Sequence, residues 1–290
     1  MIKYFRKTLV LYILVCLAGL SLSTLLFYPT SWTNSFGIET YILGLWIFQR
    51  PLSSSDAASL FYLLSLLLFV LLPALLIRRF SMKQFEKMLK LLYAACDPQK
   101  LLEQLSPLLT RGTENSTINQ LVLSSYAVGL AEIGKLPEAI KIIEELLTRP
   151  IDRKVLINKA AFYCNLATCY CKNGELDKAK EALQKGKEIL MANKSHRYFY
   201  AYKLYFYDAD HMILFYEGAY ETALTCFKNA LPLAKNRYNE VSIHYRLAKI
   251  YEKLGDASQQ KEHLRFVADN GNTLKIAEEA RQLLETIEIV

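Results

Sequence analysis

At 290 residues, 52% of them hydrophobic, the chain is long enough for one or two domains and more apolar than an average soluble protein. Its net charge of +7 is unevenly placed: residues 1–87 hold eight basic and three acidic side chains, and the rest is near neutral with 27 basic and 25 acidic. This distribution argues against nucleic acid, which needs a concentrated basic surface, and the six scattered cysteines show no disulfide framework and suit a reducing compartment.

Thr8 to Tyr28 and Ala57 to Ile77 are each 21 residues without a charged side chain. At about 1.5 Å per helical residue, either crosses roughly 30 Å of hydrocarbon, so both are expected to be transmembrane helices. The first run is too long for a cleaved signal peptide and lacks a clean small-x-small site. Lys3, Arg6 and Lys7 precede the first span, and Arg78, Arg79, Lys83 and Lys87 follow the second, whereas the loop over 29–56 has only Arg50. The positive-inside rule then places both termini in the cytoplasm of a plasma membrane, and a bacterial one is the working assumption. Within the loop, Ile38, Tyr41, Ile42, Leu45 and Trp46 share a helical face that either lies on the outer leaflet or caps the two spans.

From residue 81 onward the pattern is helical throughout. Ser81 to Ala95 reads as one helix, and Asp97-Pro98 opens another whose apolar face is Leu101, Leu102, Leu105, Leu108 and Leu109. Arg111 to Ser116 is a polar loop. Between Asn158 and Met191, Tyr163, Leu166, Ala167 and Tyr170 form one stripe at i, i+3, i+4 and i+7. Asn173-Gly174 breaks that run, and a second helix carries Ala179 and Leu183 on one face, with Asp177 placed to cap it or favour its positive end. Small residues such as Ala167 and Ala179 allow the two helices to cross closely. Ser195 to Tyr216 is a long helix with aromatics nearly all round, either core between neighbouring hairpins or in part groove lining. Leu274 to Ile287 is an amphipathic closing helix.

These hairpins resemble the tetratricopeptide repeat, with its W-x2-L-G-x2-Y…A-x3-F…P signature. Tyr163, Leu166-Ala167, Tyr170 and Ala179-x3-Leu183 carry the likeness, and three further copies repeat it: Tyr126-Ala127 to Ile143, Gly218 to Ala230, and His244 to Leu264. The turn glycines Gly134, Gly174, Gly218 and Gly255 are 40, 44 and 37 residues apart, against a period of about 34. The expected fold is therefore all-α: a two-helix transmembrane hairpin over 1–80, then a solenoid of such repeats over 81–290.

The resemblance implies that the first helix of each hairpin faces a concave groove. In this register the groove candidates are Asn165, Thr168, Lys172, Tyr205, Asp208, Met212, Tyr245, Arg246 and Lys249. Joined to the two expected spans, it implies a function: a membrane-tethered scaffold that binds a peptide or partner protein, with no cofactor and no catalysis. The alternative is a structural subunit of a larger membrane complex whose contacts run through the spans. Chemistry finds little support. Asp208 and His211 share a helix face but lack further metal ligands, Cys164, Cys169 and Cys171 lack C-x2-C spacing, and no Gly-rich phosphate loop occurs.

Overall fold

The computed structural model describes residues 82–109, 117–150 and 156–289, with Leu14, Leu17, Ala18, Leu75, Leu76, Arg79 and Phe80. The chain divides into two compact units, Met1–Glu86 and Lys87–Val290. Apart from Leu14, Leu17, Ala18, Leu75 and Leu76, which are helical and exposed, the expected spans over 8–28 and 57–77 and the loop over 29–56 lie outside the described residues. Among the described residues no helix is long and apolar enough to cross a membrane.

The described residues contain helices and no strand. They are α1 (residues 82–93), α2 (Pro98–Leu109), α3 (Thr117–Glu132), α4 (Leu136–Thr148), α5 (Ile157–Lys172) and α6 (Leu176–Ala192). They continue with α7 (Phe199–Tyr216), α8 (Tyr220–Ala230), α9 (Arg237–Leu254), α10 (Ala257–Asn270) and α11 (Lys275–Ile289). Sequential helices pack as antiparallel pairs α3–α4, α5–α6, α7–α8 and α9–α10, and α11 packs on α10. The result is an α-solenoid of hairpins like those the sequence pattern implies.

Each reversal uses the same backbone device. Gly134, Gly174, Gly218 and Gly255 all have φ between 78° and 88°, the left-handed region that glycine enters without a Cβ penalty. The residue after each glycine donates to the carbonyl five positions back: Lys135 to Leu130, Glu175 to Tyr170, Ala219 to Leu214 and Asp256 to Tyr251. This is the Schellman closure, which satisfies carbonyls that a helix end leaves bare. The α1–α2 turn also uses a left-handed residue, without glycine: Cys96 holds φ at 52°, and Asp97 donates to Leu91, six positions back.

The core follows from the repeated pattern. Ala139, Ala167, Ala179, Ala223 and Ala248 are fully or almost fully buried where helices cross, and Ile143, Leu183, Phe227 and Leu264 fill the matching large position of the second helices. Each large side chain buried here stabilises by about 1.5–3 kcal/mol relative to exposure. Asp177 lies in the first turn of α6, where its charge meets the positive helix end, while the capping position itself is Glu175. The aromatic helix starts at Phe199 rather than Ser195, because the Tyr198 amide donates to the His196 ring and residues 193–198 form turns. Its aromatics divide: Phe199 and Phe206 are core, whereas Tyr198, Tyr200, Tyr205, Tyr207 and Tyr216 are exposed.

The α9–α10 hairpin is pinned by a histidine pair. His244 Nδ1 lies 2.8 Å from His263 Nδ1, with Phe266 stacked on His244 and Tyr251 stacked on His263. One nitrogen must donate and the other accept, so the contact suits neutral rings. Burial, and then His263, push the His244 pKa down to about 4. Burial also lowers His263, which faces Lys228 and Glu262.

A Cβ at Gly174 meets nothing within 4 Å, so Gly174→Ala costs only the left-handed penalty of about 1–2 kcal/mol. Gly186 in mid-α6 is different: a Cβ would come within 2.8 Å of the Phe206 ring and 3.0 Å of Tyr163 Cβ. Helix propensity alone would make Gly186→Ala favourable by up to about 1 kcal/mol, but overpacking of about 1–3 kcal/mol opposes it. Denaturant melts should show a net loss of stability at Gly186→Ala. For the histidines, the unfolded rings take protons near 6.5 while the folded ones resist until lower pH, so stability falls as pH drops from about 6.5 towards about 4. Thermal melts across that window should show the decline, and His244→Leu should flatten it.

Candidate functional site

Residues two positions before the turn glycines occupy the same place in successive hairpins, and three of them meet: Glu132, Lys172 and Tyr216. Glu132 ends α3 and is only 4% exposed. A buried carboxylate is costly unless paired and hydrogen-bonded. Here Lys172 Nζ stands 2.5 Å from its Oε1, and the Tyr238 hydroxyl donates to it over 2.9 Å. Tyr238 belongs to α9, far along the chain, and its ring meets that of Tyr93 on α1 edge-on at 5.8 Å. Burial raises the pKa of both phenols, with Glu132 adding to it, so both remain neutral.

A second set of contacts ties the last hairpin to the first turn. Asn272 Nδ2 donates to the Ala95 carbonyl at 2.9 Å, and the Thr273 amide to that of Cys96 at 3.2 Å. The Thr273 hydroxyl donates to Asp97 at 2.9 Å, and Asp97 also caps α2 through the Lys100 amide. Within Lys87–Val290 the repeat array therefore returns on itself.

Inside this return lies a cavity of about 270 Å³. Its wall includes Glu132 from α3, Lys172 from α5, Phe215 and Tyr216 from α7, Ser242, Tyr245, Arg246 and Lys249 from α9, and Lys275 and Glu279 from α11. Four cations thus face two carboxylates. Lys172 is held by Glu132, Lys249 pairs with Glu252, and Lys275 lies 2.9 Å from Glu278. Tyr245 donates to Glu279. Arg246 has no carboxylate partner among the described residues. Its Nη2 stands 2.7 Å from the Met212 sulfur, its guanidinium lies 5.7 Å from the Phe227 ring centre, and its buried Nε lacks a hydrogen-bond partner. Arg246 therefore keeps one buried donor unused beside the cavity.

Of the nine groove candidates, Lys172, Tyr245, Arg246 and Lys249 line this cavity. Met212 is buried beneath Arg246. Asn165 donates to Ser124 at 3.3 Å, and Thr168 donates to the Cys164 carbonyl at 3.1 Å, so both side chains are used between or within helices. Tyr205 and Asp208 are exposed on α7, outside the cavity wall. Sequence reasoning missed Glu132, Tyr216 and Glu279. The signal for the first two was their shared register with Lys172; Glu279 had none, because only the return of the array brings α11 there.

Other candidate chemistry is not assembled. Among the described residues no three His, Cys, Asp or Glu side chains gather as metal ligands. The His211 ring lies edge-on to Phe227 at 5.7 Å, and burial lowers its pKa. Cys164, Cys169 and Cys171 are buried, and desolvation pushes the thiols up, to about 12 for Cys169 and about 11 for Cys171, so they are not activated nucleophiles.

Comparison with known proteins agrees with the hairpins. The tetratricopeptide-repeat family model matches residues 160–189 and 241–265, the α5–α6 and α9–α10 pairs. No curated protein matches the chain. Among solved structures, a Pyrococcus horikoshii signal-transduction ATPase with numerous domains and a tetratricopeptide-repeat sensor is 17% identical, with a TM-score of 0.46. The match covers 79% of this chain and 35% of that one, so this chain spans about a third of that protein. A kinesin-light-chain candidate with nearly identical TPR-like repeats from Podosopora anserina is 16% identical, with a TM-score of 0.34, covering 64% of this chain and 89% of that one. The assignment rests on the matched segments and the helix pairing: residues 160–189 and 241–265 are tetratricopeptide repeats within an all-α solenoid.

Proposed function

We propose that the chain is a membrane-tethered interaction scaffold whose solenoid takes an acidic segment of a partner protein into the cavity at Arg246. The observation that carries this is the guanidinium without an ion pair, with its unbonded Nε, in a wall whose three lysines are each held by a carboxylate. A cavity of about 270 Å³ is too small for a whole peptide helix but admits an acidic side chain. Arginine's planar fork suits a carboxylate bound through two parallel hydrogen bonds. Phe215 and Tyr216 offer the aromatic anchor surface that protein interfaces favour.

The tether is proposed from the two uncharged stretches over 8–28 and 57–77 and the cations that flank them. Anchoring the solenoid on the cytoplasmic side of a plasma membrane raises the local concentration of a bound partner there. The chain acts in this reading by recruitment, without catalysis or cofactor.

Two substitutions separate binding from folding. In pull-downs of the full chain from detergent extract, Arg246→Ala should reduce the captured acidic partner by about 30-fold, as expected for an interface arginine worth about 2 kcal/mol. Its melting temperature should fall less than that of a Glu132 variant, since Arg246→Ala removes the Met212 and Phe227 contacts but strands no partner charge. Glu132→Ala should instead cost about 3 kcal/mol of stability, because it leaves Lys172 and the Tyr238 hydroxyl without their partner. Partner capture that survives both Arg246→Ala and Arg246→Glu would refute binding at this cavity. Capture lost when 8–28 and 57–77 are replaced by an unrelated anchor would favour the structural-subunit alternative.

A further inference from the structure

The outer side of α7 carries large apolar groups that the fold leaves uncovered. Tyr200, Leu204 and Tyr207 stand at i, i+4 and i+7, one helical stripe, and are 77%, 49% and 48% exposed. Met191 at the end of α6 is exposed beside the turn that leads into this helix. Along the stripe itself the charged side chains are cationic. From Asn193 to Tyr207 the chain has Lys194, Arg197 and Lys203 and no Asp or Glu. None of the three cations pairs with a carboxylate among the described residues; Arg197 instead lies 4.6 Å from the Tyr198 ring centre, and Lys203 lies 5.6 Å from that of Tyr207. Nearby Asp210 is already held by Lys187 at 2.6 Å, and Asp208 follows the stripe at its end.

We propose that this face of α7 rests on the anionic headgroups of a lipid bilayer. Tyrosine suits that boundary because its ring is apolar and its hydroxyl polar. Lysine and arginine lay their aliphatic stems along apolar surface and hold their charges in the headgroup layer. Three cations without a matching carboxylate complement anionic lipid, each contributing roughly a five-fold gain near such a surface. A protein partner fits less well, since the cores of protein interfaces are depleted of lysine and use opposite charges in pairs. The contact is separate from the tether proposed above and can fail separately.

The test uses the full chain reconstituted into vesicles that carry a photoactivatable diazirine lipid, with labelled peptides mapped by mass spectrometry. Vesicles of phosphatidylcholine with phosphatidylglycerol are compared with phosphatidylcholine alone. Label is expected on residues 193–207 in the anionic vesicles. It should fall about five-fold or more in neutral vesicles and in the variant combining Lys194→Gln, Arg197→Gln and Lys203→Gln. These side chains lack ion pairs, so the variant should fold normally. Label over 8–28 and 57–77 reports the tether independently: its presence with no label at 193–207 overturns the α7 proposal alone, and its absence with label at 193–207 overturns the tether alone. Equal labelling of 193–207 in both vesicle types also overturns the α7 proposal.

Discussion

Everything in the solenoid depends on reversing the chain within a few residues after each first helix. Helices of 11–18 residues are marginal alone in water. They persist because each folds back and buries its apolar stripe on its partner. The reversal requires a left-handed residue, which glycine supplies at 134, 174, 218 and 255 and Cys96 supplies at the first turn. Once the turn is made, alanines at the crossings let the backbones approach, and large side chains such as Ile143, Leu183 and Phe227 close the gap. Turn and packing are thus one device, repeated with variable helix lengths.

Repeat arrays ordinarily contact only their neighbours along the stack. This one also makes long-range contacts: Glu132 accepts from Tyr238, and Asn272 donates to Ala95, 177 residues away. These bonds convert a row of hairpins into a closed set, and the cavity exists because of that closure. The polar wall is not uniform in its demands. Glu132 is fully committed to holding three helices, whereas Arg246 beside it has hydrogen-bonding capacity left over. The first arrangement holds the fold together, and the second leaves a buried donor unused beside the cavity.

Helix α7 divides similarly. Phe199, Phe206, Met212 and Ile213 face the core, and Tyr216 at its end reaches the cavity. The opposite side keeps Tyr200, Leu204 and Tyr207 in the open. Uniform aromatic composition around this helix hides two environments, because Tyr tolerates both burial and a wet boundary.

Helices, turns and the buried alanines were legible in the amino-acid sequence, since they obey local rules: 3.6-residue periodicity and the left-handed freedom of glycine. The cationic character of Lys172, Arg246 and Lys249 was also legible, because repeat register says which helix positions face inward. What the sequence could not determine was which inward residues meet. Asn165 and Arg246 hold the same register, yet Asn165 is spent on Ser124 and Arg246 is left unpaired. Glu279 joins the wall only because Asn272 and Thr273 dock on the first turn. Local periodicity operates over four residues, but the pairing of charges across the cavity depends on contacts between residues more than a hundred positions apart, and only the tertiary structure brings those together.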